Sequence, residues 1–126
     1  MLKLFRLFFL GLALVAGQAF AAGVAYDQAR FDTLQKEGKP VLVFIHADWC
    51  PICKAQDKVL DELLPTPEMK ALTVLRVDYD KQKNALRAHK ATMQSTLVLY
   101  RGGKEIGRLT GETRKDQVAA FLKQAL

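Results

Sequence analysis

Cysteine is scarce in this sequence: there are two in 126 residues, at positions 50 and 53. Two cannot build the multi-bridge framework on which small disulfide-stapled domains depend. A bridge across two intervening residues would also constrain the unfolded chain little, because that effect grows with loop length. Histidine is equally sparse. A structural zinc ion takes four ligands, and only His46 and His89 stand beside the cysteines, which argues against a complete zinc site within one chain. Cations outnumber acids, 19 to 13, for a formal charge of +6. They are scattered among acids, however, with no basic stripe and no interleaved aromatics, so no nucleic-acid face is expected. There is no internal repeat and no low-complexity tract.

Long apolar runs are also few, and the first is a targeting segment. Lys3 and Arg6 precede an apolar stretch from Leu7 to Ala16, and Ala19-Phe20-Ala21 supplies a small-x-small pattern. A positive start, an apolar centre and a cleavage pattern describe a secretory signal peptide over residues 1–21. The run falls short of the roughly 20 residues needed to cross a bilayer, and no cysteine at the junction suggests a lipoprotein. Removing 21 of 126 residues leaves 105, a single domain over 22–126 able to bury one core. Losing Lys3 and Arg6 lowers the formal charge from +6 to +4. A periplasmic or secreted location follows as an expectation.

Along the remaining chain, Asp27 can cap a helix reaching Glu37, with Gly38 as the stop. Val41-Leu42-Val43-Phe44-Ile45 is a continuous apolar, β-branched run suited to a strand covered on both faces. Ala47-Asp48-Trp49 turns into a helix from Cys50 to Leu64, ended by Pro65 and Pro67. A helical turn fits Glu68 to Leu72, a strand Val74 to Asp78 and a polar helix Lys81 to His89. Thr96 to Tyr100 and Glu105 to Leu109 flank Gly102-Gly103 as a hairpin. Thr113 can cap a last helix to Leu126. This order requires an α/β architecture: a central mixed sheet, parallel first and hairpin last, with helices on both faces.

The cysteines fall where the buried strand meets a helix. With Cys50 as N-cap, its sulfur faces unsatisfied N–H groups and the positive end of the helix dipole, which favour thiolate. Pro51 suits the first helical position, where its missing N–H costs nothing. Cys53 lies one turn deeper on the same face, within bonding reach at about 1.5 Å rise per residue. Cys50 therefore reads as the nucleophile and Cys53 as the resolving thiol of a reversible disulfide pair.

The run Ala47-Asp48-Trp49-Cys50-Pro51-Ile52-Cys53-Lys54, followed by Val59-Leu60-Asp61-Glu62-Leu63, resembles the active-site strand, turn and helix of thioredoxins. The likeness continues through Val74 to Asp80, Thr96 to Lys104 and Gly111 to Leu126. It implies a thioredoxin-like fold, a redox dithiol and no organic cofactor; the ligand count, and not the resemblance, argues against a metal. The likeness also implies a groove for an extended substrate segment, lined by Trp49, Pro51, Ile52, Gln94, Ser95 and Thr96. Three positions depart from the pattern. Ser95 replaces the family's cis-proline, and a cis bond before a non-proline residue costs about 2.5–4 kcal/mol, so a trans loop is expected. Phe44 occupies the place of the buried aspartate that accepts the resolving thiol's proton. His46 stands where an aromatic residue is usual, either tuning Cys50 or simply packing. Arg76 aligns with a family lysine, near the dithiol or on the surface, and His89 reads as a solvated surface residue.

The functional expectation is an exported thiol–disulfide oxidoreductase, monomeric, acting on substrate proteins as a reductant or isomerase rather than an oxidant. A membrane thiol donor would re-reduce it. The alternative is a thioredoxin-fold binding or metal-handling module without redox turnover.

Overall fold

The computed structural model of the chain describes residues 23–126; the expected signal peptide lies outside the described residues. Ten short elements follow one another. They are strand β1 (Val24–Ala25), helix α1 (Gln28–Lys36), strand β2 (Pro40–His46) and helix α2 (Pro51–Leu63). A 3₁₀ turn (Pro67–Met69), strand β3 (Thr73–Asp78) and helix α3 (Lys83–Ala88) come next. Strands β4 (Thr96–Arg101) and β5 (Lys104–Thr110) and helix α4 (Lys115–Lys123) complete the fold.

Five strands form one mixed sheet in the order β1-β3-β2-β4-β5. β2 sits at its centre, parallel to β3 and antiparallel to β4. All seven β2 residues are buried, as the uninterrupted apolar run requires, because each face of the strand is covered. Leu42 and Phe44 join Leu60, Leu97 and Leu122 in one core, which also takes in both cysteines. Val41, Val43 and Ile45 point the other way, to Leu86 and Val98. Each such side chain contributes about 1.5–3 kcal/mol on burial, so the centre of the sheet is the most firmly held part of the molecule.

Local signals fix the connections. The Asp27 carboxylate caps α1 by accepting from Ala29 N at 3.0 Å. The β4–β5 hairpin turns on Gly102 and Gly103, with φ of 57° and 81°; two consecutive positive φ angles are what a two-residue hairpin needs and what glycine supplies without steric cost. Helix α4 starts one residue later than expected, with Arg114 as N-cap and no side-chain cap bond. The polar helix is shorter than expected, because Gln82 and His89 flank its six residues.

Candidate active site

Strand β2 ends at His46, and a three-residue turn delivers Cys50 to the head of α2. Cys50 N bonds Ala47 O at 3.1 Å, and Lys54 N closes the first helical turn on Cys50 O at 3.2 Å. Cys50 is the N-cap in extended conformation, Pro51 follows inside the first turn, and the Cys50 sulfur accepts the Cys53 N–H at 3.1 Å. A helix N-terminus thus directs an otherwise orphan N–H at the Cys50 sulfur. Both thiols are free. Cys53 is 0 % exposed and Cys50 only 2 %. Burial pushes the Cys53 thiol up to about 11, and its hydrogen bond with Cys50 adds to the rise; main-chain hydrogen bonds from Ala47 and Ser95 act against it.

The other expected groove residues divide by exposure. Trp49 is 57 % exposed, with its indole N–H donating to Asp80 Oδ2 at 2.9 Å. Pro51 and Ile52 are exposed on the first turn of α2, Gln94 is half-buried, and Ser95 and Thr96 are buried. Met93, which sequence reasoning passed over, is a further exposed apolar side chain beside them in the chain.

Among the described residues no peptide bond is cis, so the Ser95 loop is trans, as expected. The loop instead turns on a left-handed Ser95 with φ of 56°, a conformation that costs a non-glycine residue roughly 1–2 kcal/mol. Several bonds hold it there. Ser95 O accepts from Gly111 N at 2.9 Å and from Gln56 Nε2 at 3.0 Å. Thr96 Oγ1 donates to Met93 O at 2.9 Å, and Ser95 Oγ donates to Gln94 O at 2.6 Å.

Where the family pattern has a buried aspartate, Phe44 packs edge-to-face on His46, with ring centroids 5.3 Å apart. Charge enters from the helix instead. Asp57, one turn beyond Cys53, receives the Arg76 guanidinium on both oxygens and lies 2.9 Å from His46 Nε2. Arg76 also lies over the Phe44 ring, 5.3 Å from its centroid. His46 therefore both packs in the aromatic slot and joins an ion cluster, and Arg76 is turned inward onto α2 rather than into solvent. The sequence did carry a signal for Gln56 and Asp57: they lie three and four residues after Cys53, and Gln56 interrupts an otherwise apolar stripe of Cys53, Leu60 and Leu63.

His89 corrects an expectation outright. It is 3 % exposed, not solvated. Its Nδ1 lies 2.8 Å from the Tyr100 hydroxyl and its Nε2 2.7 Å from that of Tyr26. A polar six-residue helix gave no sign of this, because the partners come from β1's end and from β4. No group of three or more His, Cys, Asp or Glu side chains among the described residues is placed to hold a metal ion.

A dithiol that can close reversibly to a disulfide, at the head of a helix fed by the central strand of a mixed sheet, defines a thiol–disulfide oxidoreductase. The comparisons agree. The thioredoxin family model matches residues 23–124. A thioredoxin of Mycobacterium bovis is 32 % identical over 105 residues, covering 82 % of this chain and 87 % of that one. The bifunctional thioredoxin reductase/thioredoxin of Mycobacterium leprae is 32 % identical over 97 residues; the match takes in 77 % of this chain but only 20 % of that longer protein. The crystal structure of Trxlp from Edwardsiella tarda superposes with a TM-score of 0.77 at 43 % identity, covering 79 % of this chain and 96 % of that one. The chain belongs to the thioredoxin family.

Proposed function

We propose that this protein is an exported thioredoxin-like reductant that breaks disulfides in substrate proteins outside the cytoplasm. The Cys50 thiolate attacks one sulfur of the substrate disulfide, forming a mixed disulfide and releasing the first substrate thiolate, which takes a proton from solvent. Cys53 then loses its proton and attacks Cys50 Sγ. The second substrate thiol departs, and the Cys50–Cys53 disulfide remains. Two electrons and two protons have passed to the substrate.

The observation that carries this division of labour is the cap itself: Cys50 sulfur receives the Cys53 N–H at the helix head. Cys53, buried and pushed up to about 11, stays protonated at neutral pH and acts second, from within the mixed disulfide. Exposed Trp49, Ile52 and Met93 supply an apolar bed for an extended substrate segment. The relatives named thioredoxins, one joined to a thioredoxin reductase, support the reducing direction. Export is supported by the signal-like residues 1–21, and a membrane thiol donor would close the cycle.

Equilibration of the dithiol with glutathione buffers tests the proposal. A potential near about −270 mV supports a reductant, whereas one near about −120 mV overturns the assigned direction. In an insulin-reduction assay Cys50→Ser should abolish turnover, and retained turnover would sink the role given to Cys50.

A further inference from the structure

Gln56 is an unusual occupant of its site. It lies on α2 three residues after Cys53, it is 1 % exposed, and it stands on the helix face otherwise given to Cys53, Leu60 and Leu63. Its amide nitrogen donates to two main-chain carbonyls, Ser95 O at 3.0 Å and Glu112 O at 3.1 Å. Those two acceptors fix which way the amide faces, because the flipped group would set an oxygen against both carbonyls. The consequence is that Gln56 Oε1 is buried with no hydrogen-bond partner. A buried unpaired acceptor is costly, so packing stability alone does not account for glutamine here.

What the amide holds is the strained loop. Ser95 takes a left-handed φ of 56°, a conformation that persists in a non-glycine residue only when its surroundings over-determine it. Its carbonyl is gripped from two sides, by Gln56 and by Gly111 N. We propose that Gln56 is a positioning residue for the dithiol: its buried amide locks the Ser95 loop to the active-site helix so that the loop's main chain meets Cys53. This rests on Cys53 being the resolving thiol. The Ser95 main chain is the least of the influences that hold the Cys53 thiol down against its burial. Loosening the loop therefore removes thiolate from the resolving step and leaves the Cys50 cap, made by Cys53 N, untouched.

A single-turnover reaction of the reduced protein with an aromatic disulfide, dithionitrobenzoate, separates the two thiols. Attack by the Cys50 thiolate breaks the reagent's disulfide, forms the mixed disulfide and releases one coloured thionitrobenzoate. Cys53 then gives its proton to solvent, attacks Cys50 Sγ and releases the second. Gln56→Met should leave the first phase unchanged and slow the second severalfold at neutral pH, because less of the resolving thiol is ionised. Adding Ser95→Gly to that variant should recover part of the rate, because glycine takes the left-handed backbone unaided. Gln56→Glu, with at most one O–H to donate and so unable to hold both carbonyls, should also slow the second phase alone. A second phase that is unchanged in folded Gln56→Met, or two phases slowed equally, overturns the proposal; equal slowing is what a merely structural role gives. Absence of any second phase in the wild type would instead remove the resolving role of Cys53. If neither variant folds, a missing through-bond coupling from Gln56 Nε2 to the Ser95 carbonyl in the wild-type protein also overturns it.

Discussion

Lowering the pH should strip stability from this domain at one identifiable place, the imidazole of His89. Tyr26 OH donates to Gln28 Oε1 at 2.7 Å and so must accept at its other side. That makes His89 Nε2 the protonated nitrogen and leaves Nδ1 to accept from Tyr100 OH. A second ring proton would have to displace the Tyr100 donor inside a cage of Phe31, Tyr26 and Tyr100 rings. Burial holds the His89 pKa below its ordinary 6.5; Arg108 adds to the lowering, while Glu105 and Asp32 oppose it. With the folded value below the unfolded one, the contribution of His89 is whole above about pH 6.5 and is lost as pH falls toward the folded value. The loss runs at up to about 1.4 kcal/mol per pH unit, which for a domain of this size is about 4–8 °C in Tm per kcal/mol. Urea denaturation of the wild type and of His89→Gln, at about pH 7.5 and about pH 5.5, isolates this group because every other titration is common to both. The gap between them should narrow on acidification, by no more than about 1.4 kcal/mol over the pH unit below 6.5. A gap that does not change with pH would refute the tautomer and cage reasoning.

Two further changes test the site's scaffolding. Asp57→Ala leaves the Arg76 guanidinium and His46 without the carboxylate they share; with both ion-pair side chains below one-fifth exposed, the cost should be about 2–3 kcal/mol by chemical denaturation. Asp57→Leu combined with Arg76→Met should recover much of that loss, and a double variant as unstable as the sum of its parts would count against a mutual pairing. Ser95→Gly should raise the denaturation midpoint slightly, by up to about 1 kcal/mol, because it relieves a left-handed serine at the expense of unfolded-state entropy; a clear loss of stability would show that the loop is not strained.

The elements that carry the cysteines could be read directly from the residues. An unbroken run of β-branched and apolar side chains, Val41 to Ile45, could only be a strand covered twice, and Cys50-Pro51 stood where a cap and a first helical residue belong. Gly102-Gly103 named its own turn. What could not be read was contact at long range. His89 looked polar because its helix is polar, yet its burial depends on Tyr26, distant by 63 residues. Phe44 announced a missing acid, but not that Asp57 on the next helix would bring a carboxylate to Arg76. Such pairings exist only once the sheet register sets Phe44 against Arg76 across β2 and β3. Serine at 95 likewise foretold a trans loop but not its left-handed turn, which owes its existence to hydrogen bonds arriving from α2 and from Gly111.

If Cys50 is the attacking thiol, with 2 % of its surface open to water, it should react only when the turn around it opens. For small reagents such as peroxide or iodoacetamide, the rate at Cys50 is the chemical rate multiplied by the open fraction. A protein partner that stabilises the open form with its own contacts would escape that factor. Selectivity among oxidants can therefore come from shelter as much as from sulfur chemistry. The same burial that slows the thiol protects it from being spent between substrates.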